Sequence, residues 1–226
     1  MSKEKKPENI KKINVPVVML AVLAAVLLLA NLLPSELFLK YEKIDSGYAV
    51  TGYVKLIKPR RVTIPSEHKG EPVTAIAGNA FYKCESLTEI TVPEGVTRIG
   101  SYAFRDCTEL TSITLPDSLT SVGSFAFRKC EALTEVTIPA GVTSLDPFTF
   151  TDCGGLTSVI LSDGLENIGD FALYCCAGLE EITIPASVKT IGKDAFDGCG
   201  ITVKAPHEAE YYGEDSYSDV KKWIVI

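Results

Sequence analysis

Cysteine is the residue type in this 226-residue chain whose number and spacing first suggest chemistry: Cys84, Cys107, Cys130, Cys153, Cys176 and Cys199 each lie 23 residues after the last. Regularly spaced thiols could bridge as disulfides or hold a metal. If the beat marks stacked coils about 4.8 Å apart, neighbouring Cα atoms fall within disulfide range. Equivalent side chains in such a stack point in parallel, however. That keeps Cβ atoms near the same spacing, beyond the roughly 3.5–4.5 Å a disulfide uses. A tetrahedral metal site needs four converging ligands, and a linear column does not converge. The column therefore reads as a structural ladder of small buried side chains, with no metal or cofactor expected. Cys175 is off the register and is expected to be an exposed, inert thiol.

Carboxylates offer the next chemistry. Glu89, Ser112, Glu135, Ser158 and Glu181 share one register, with Thr91, Thr114, Thr137, Ile160 and Thr183 two residues further on. Glutamates on alternate coils would sit about 10 Å apart, wider than the carboxyl pairs of retaining or inverting glycosidases. The two histidines, His68 and His207, fall at opposite ends of the array, so no Cys-His or Ser-His-Asp group assembles. Zinc-protease, phosphate-loop and dinucleotide glycine patterns are missing from the sequence. The chain is expected not to be an enzyme. Its candidate partner-binding residues are the Glu/Ser column just named and a second, aromatic column, Tyr102, Phe125, Phe148 and Phe171. Stacked rings anchor interfaces where exposed; a solvated strand face and an edge packed along the array would show the same residues. Lys55, Lys58, Arg60 and Arg61 form a basic cluster ahead of the repeats, suited to an anionic envelope polymer, to lipid head groups, or to nothing but solvent.

The elements that must position these columns follow from the repeat itself. One unit reads LTSITLPDSLTSVGSFAFRKCEA from Leu110 to Ala132, and its neighbours align without a gap. Thr111, Ile113 and Leu115 alternate with Ser112 and Thr114, which predicts a strand with its first set buried. Pro116 ends it, since proline cannot donate to a ladder. Leu119 and Val122 bury a second short extended segment, and Gly123 permits a sharp turn. FAFRKC predicts a helical or 3₁₀ corner in which Phe127 and Cys130 point the same way. A period of 20 to 29 residues marks a leucine-rich repeat or related solenoid, in which one coil cannot bury its own apolar face and stacking supplies the core. Six coils are expected, the first with a five-residue insertion around Glu67 to Glu71.

Charge and hydropathy divide the rest. Of the net charge of -7, five lysines and two glutamates before Val17 contribute +3, leaving -10 for the remainder. So acidic a domain is a poor match for phosphate backbones, and no nucleic acid is expected. Val17 to Leu33 is apolar apart from Asn31 and spans roughly 26 Å as a helix. Its length and the lack of a small-residue cleavage site favour an uncleaved signal anchor over a cleaved signal peptide. The preceding lysines put the N-terminus in the cytoplasm and the repeats outside. The expected layout is a cytoplasmic tail at 1–14, a transmembrane helix at 15–33, and a juxtamembrane linker at 34–47. A capped solenoid at 48–203 and a C-terminal cap at 204–226 complete it. The fold class is thus a β-rich solenoid of 23-residue coils, with short parallel strands and tight or 3₁₀ turns, plus one N-terminal transmembrane α-helix.

Four features recurring in register, I-x-[IVL]-P, V-x-x-I-G, A-F and C, resemble the BspA-like leucine-rich repeats of bacterial cell-surface proteins over about Tyr48 to Val203. The opening GYAVTGY and KGEPVTAIAGNAF are similar to the first coil of that family. Local departures are Ser162 for proline, Asp146 for glycine, Thr149 for alanine and Leu173 for phenylalanine. The resemblance implies surface adhesion through binding of a host or matrix protein. The partner expected is therefore a protein or envelope polymer, met by a membrane-anchored module. The alternatives are an envelope component docking another membrane protein and, if the first helix is cleaved, a secreted binder. Oligomeric state is left open by the sequence.

Overall fold

A computed structural model describes residues 34–207 and 220–226. The expected tail at 1–14 and membrane helix at 15–33 lie outside them; among the described residues no helix is long and apolar enough to cross a membrane. The chain opens with a 3₁₀ turn at Ser35–Leu37 and an antiparallel hairpin, β1 (Leu39–Ile44) and β2 (Gly47–Tyr53). The segment 34–47, expected as a linker, thus holds the first strand of the cap. Gly47 is fixed there by φ 132° and by Pro72, whose carbonyl oxygen would lie 2.2 Å from a Cβ.

The first coil carries β3 (Arg61–Thr63), the insertion strand β4 (Glu67–His68) and β5 (Glu71–Ile76). Each later coil contributes two short strands. They are β6 (Glu89–Thr91) and β7 (Arg98–Ile99), β8 (Ser112–Thr114) and β9 (Ser121–Val122), then β10 (Glu135–Ile138) and β11 (Ser144–Leu145). After these come β12 (Ser158–Leu161) and β13 (Asn167–Ile168), and β14 (Glu181–Thr183) and β15 (Thr190–Ile191). A seventh coil begins with β16 (Thr202–Ala205). The array therefore counts about seven coils instead of six. The extra one was hidden because it breaks the period, Pro206 following Pro185 by 21 residues and not 23, and because no phenylalanine or cysteine follows in register. The last strand, β17 (Lys222–Val225), adds in parallel to β16, and Trp223 donates from Nε1 to the His207 carbonyl at 2.8 Å. The C-terminal segment closes the sheet edge with a strand, one answer to the exposed-edge problem.

Each coil has three sides. The second strands form one continuous parallel sheet, β2-β5-β7-β9-β11-β13-β15, flanked by β1. The first strands form the strand face, which is broken into β3-β6-β8, β10-β12 and β14-β16-β17. The third side is the corner. There the chain is not helical: Ala103, Arg105 and Cys107 donate backbone N–H to Gly100, Tyr102 and Phe104, while Tyr102, Phe104 and Asp106 donate forward to Ser124, Ala126 and Arg128 of the next coil. A 3₁₀ helix would spend every N–H inside its own coil. The run of β-turns shares them out, alternate donors holding the turn and the stack together, and so satisfies the buried backbone.

The core is the inside of this triangle. Phe81, Phe104, Phe127 and Phe150 are buried and stack with ring centroids 5.2–5.3 Å apart. Ile113 is buried as expected, but Thr111 is exposed and Leu115 only half-buried, so the predicted alternation breaks before Ile113. Thr111 does something else. Thr88, Thr111, Thr134 and Thr157 each pass a side-chain hydrogen bond back to the carbonyl of the residue one coil earlier, at 2.8–3.5 Å. Glycine before the corner is demanded by contact between coils. A Cβ on Gly100 would lie 2.4 Å from the Gly78 backbone nitrogen.

Candidate partner-binding faces

The cysteine column lies inside the corner, all six members buried. From the second coil on, each thiol donates to a carbonyl of the preceding coil. Cys107 reaches Phe81 at 3.1 Å, Cys130 reaches Phe104 at 3.3 Å, and Cys153, Cys176 and Cys199 reach Phe127, Phe150 and Leu173 at 3.0–3.2 Å. Cysteine is thus small enough for the turn and still a donor, which a purely apolar residue would not be. Burial pushes the thiols of Cys107, Cys130 and Cys153 up, so at neutral pH they stay protonated, as donation requires. Cys175 is half-buried instead of fully exposed, and desolvation pushes its pKa up as well.

The strand face brings the Glu/Ser column together as expected from register: Glu89 pairs with Ser112 across β6 and β8, and Glu135 with Ser158 across β10 and β12. Glu89, Ser112, Glu135 and Glu181 are exposed and Ser158 half-buried. The outer acids are neutralised, Glu89 by Arg61 at 3.4 Å and Glu181 by Lys204 at 2.6 Å. Thr91, Thr114, Thr137 and Thr183 are exposed beside them. In their column Ile160 is 56% exposed. It borders a groove of about 480 Å³ lined by Thr157, Ser158, Leu161, Glu181 and Thr183, at the place where the strand-face ladder stops between β12 and β14.

Tyr102, Phe125, Phe148 and Phe171 form a rail outside the corner, all partly buried. Their rings stack in parallel with centroids 4.9, 4.6 and 4.8 Å apart. Neighbours cover the ring faces, so solvent meets ring edges. Each of these residues also has a left-handed backbone, φ 61°, 59°, 62° and 55°. This is the third position of the turn that starts at Gly100 and its equivalents, where a positive φ favours Gly or Asn. The ends of the rail, Asn79 (φ 60°) and Asp194 (φ 50°), obey that preference, and the aromatic members do not. Sequence reasoning picked out the rail by its period but had no signal for its backbone. Arg105 lies 5.5 Å from the Tyr102 ring and Arg128 6.0 Å from the Phe125 ring.

At the N-terminal end, Lys55 and Lys58 from the basic cluster meet Lys83, Glu85 and Ser86 around a groove of about 390 Å³ floored by Tyr53, while Arg61 turns to Glu89. His68, from the insertion, stacks on Tyr41 at 3.9 Å and meets Tyr48 edge-on at 4.8 Å, so it staples the insertion to the cap. His207 serves through its backbone carbonyl. Among the described residues no cluster of three or more His, Cys, Asp or Glu could hold a metal.

Comparison with known proteins agrees with this geometry. The family profile described as the BspA type leucine rich repeat region matches six copies across residues 74–202. A leucine rich cell surface protein of Faecalibacterium prausnitzii is similar in structure, with TM-score 0.62 and 32% identity over 76% of this chain; the match spans 54% of that protein, little more than half its length. The leucine rich repeat protein of T. pallidum gives TM-score 0.57 and 29% identity, over 84% of this chain and 80% of that one. A leucine-rich repeat protein of Eubacterium ventriosum gives 0.51 and 28%, over 70% of this chain and 49% of that one. A search of curated proteins finds no match.

Proposed function

This chain belongs to the BspA-type leucine-rich repeat family, and from that premise we propose that it is a membrane-anchored surface protein that binds a protein or polymer partner through its strand face. The observation that carries the reading is the groove beside Ile160. It is the one place in the threonine column with an exposed apolar side chain, and the backbone ladder opens next to it. A solvated face needs no isoleucine there, since threonine fills the same position in the coils on either side. Anchoring rests on the apolar stretch from Val17 to Leu33 and the lysines before it. A repeat family of this kind is a binding module, and its extended faces suit contact with a macromolecule better than turnover of a small substrate.

The array also favours a second reading, in which the partner is a neighbouring membrane protein. Seven coils at about 4.8 Å reach only about 34 Å, a short projection from an anchor. One experiment separates them. A photo-crosslinking residue at position 160 of the full chain, irradiated on intact cells, is expected to give a discrete adduct that the same probe at position 190 does not. A soluble or matrix partner supports adhesion, and an integral membrane protein of the same cell supports docking. Failure of a membrane-impermeant amine reagent to label Lys129 and Lys189 before lysis rejects surface exposure altogether.

A further inference from the structure

The aromatic rail carries a charge pattern that matches itself in reverse. Consider the six corner residues of each coil, from the one before the rail position to the fourth after it. In the first three coils these include Lys83, Arg105, Arg128 and Lys129 against Asp106, a net +3. In the next three they include Asp152, Asp170, Asp194 and Asp197 against Lys193, a net -3. Glu85, Glu109 and Glu131 follow in the next turn, past the cysteine column, outside these windows. The change of sign falls between Phe125 and Phe148, the middle of the four rings.

We propose that the rail is the contact surface for a second copy of this chain, docked antiparallel about a two-fold axis between Phe125 and Phe148. An isologous contact must be self-complementary, and a surface whose charge inverts about its own centre is so by construction. Within one chain Arg128 already pairs with Asp152 at 3.3 Å and Arg105 with Asp106 at 3.6 Å, so across the axis the two Arg128–Asp152 pairs meet head to tail and Lys129 of one copy adds to Asp152 of the other. Arg105 faces Asp170, and Lys83 faces Asp194 and Asp197. A parallel dimer would set like charge on like. Ring edges from both copies meet in the middle, edges against edges and terminal faces, where aromatic contacts are favourable. The left-handed backbone belongs to the corner, since Lys83, Asp106, Lys129, Asp152 and Cys175 share it; what the solenoid does not require is an aromatic side chain at the rail position, which Asn79 and Asp194 fill at its ends.

The footprint is small. Five coil steps give a length of about 24 Å, which puts the contact at the low end of stable interfaces and the affinity on the order of tens of micromolar. The rail is a different side of the molecule from the groove at Ile160, so either assignment can fail alone.

Charge exchange tests the pairing, using residue types the chain already places at equivalent positions. Asp152→Lys copies Lys83 and Lys129, and Asp197→Arg copies Arg105 and Arg128; together they make both halves of the rail net positive. Arg128→Asp copies Asp197, and Lys129→Asp copies Asp106 and Asp152; together they make both halves net negative. The full chain, purified in density-matched detergent, is followed by sedimentation velocity with a thermal melt as fold control. Wild type is expected to dimerise, each double variant to weaken self-association at least tenfold, and the mixed variants to recover a heterodimer. A wild type that stays monomeric to about 100 micromolar overturns the proposal. So does a folded double variant that dimerises like wild type, or a mixture of folded variants that stays monomeric.

Discussion

Replacing Phe125 separates backbone strain from ring stacking. The side chain stacks on Tyr102 at 4.9 Å and on Phe148 at 4.6 Å, and its φ is 59°. Each parallel stack contributes about 0.5–1.5 kcal/mol, so losing both costs about 1–3 kcal/mol. Loss of the ring's partial burial adds about 1 kcal/mol. Phe125→Ala bears all of this and keeps the left-handed penalty of about 1–2 kcal/mol that a Cβ incurs. Phe125→Asn loses the same contacts but tolerates the backbone, as Asn79 does in the first coil. Alanine is therefore expected to be less stable than asparagine by about 1 kcal/mol, the reverse of the order in a regular helix. The assay is urea unfolding followed by circular dichroism, comparing midpoints at unchanged slope. Asn79→Ala is the control, expected to cost about 1 kcal/mol with no ring involved. If alanine matches or exceeds asparagine at both positions, the left-handed backbone is not a strain. If Phe125→Asn is more stable than wild type, the ring stack contributes less than the strain it carries.

The cysteine column predicts thiol counts: a thiol-specific chromogenic reagent at neutral pH should titrate at most one thiol, Cys175, in the native protein and all seven in denaturant. Because desolvation raises the Cys175 pKa, its reaction rate should still climb above the pH where an ordinary cysteine, near 8.5, levels off. Gly100→Ala should destabilise by about 1–3 kcal/mol in the same urea assay, since its Cβ would press on the Gly78 nitrogen and the Ala77 carbonyl carbon, both backbone. Asp146 holds the position of a glycine, and burial raises its pKa although Ser124 donates a backbone hydrogen bond to it. An acid with a raised folded pKa binds its proton more tightly when native, so its contribution is present at low pH and lost as pH rises through the folded value. Relative to wild type, Asp146→Asn should gain stability between about pH 4 and neutrality and lose that advantage in acid, as thermal melts across that range would register.

What the sequence disclosed was whatever repeats by residue type. Phenylalanine and cysteine every 23 residues carry the core, and their burial follows from stacking alone. Two strands per coil follow from Ile113 and Val122 with Pro116 between them. The corner's conformation was not legible, because the aromatic residues that occupy its left-handed positions have no intrinsic preference for them. Residue types suited to it occur only here and there, Asn79 and Asp194 at the rail position and Asp106, Asp152 and Gly198 four residues beyond it, too scattered to form a pattern. Thr111 misled because threonine fits a buried strand position as well as an exposed one. Its role depends on where the preceding coil's carbonyl lies, which no single coil reveals. β1 had a local signal, the Asp45-Ser46-Gly47 turn after LKYEKI, overshadowed by its closeness to the apolar segment.

Departures from the repeat gather in the fourth and fifth coils, and the structure sorts them into two kinds. Some are compensated where they stand. Thr149, in place of alanine, is buried and donates to the Asp146 carbonyl at 2.6 Å; its neighbour Thr151, also buried, donates to Phe171 at 2.6 Å. Ser162, in place of proline, donates to the Ile138 carbonyl at 2.5 Å. A buried hydroxyl left unbonded would cost about 1–3 kcal/mol, so these substitutions carry their own remedies and change nothing outside. Ile160 has no such remedy. It leaves an apolar side chain in water, removes a threonine from the strand where threonine is favoured, and borders one of the two breaks in the ladder. A departure compensated inside the protein explains itself by packing. One left uncompensated at the surface is explained only by what covers it, which is why the search for a partner should start at Ile160 and not at the more regular glutamates.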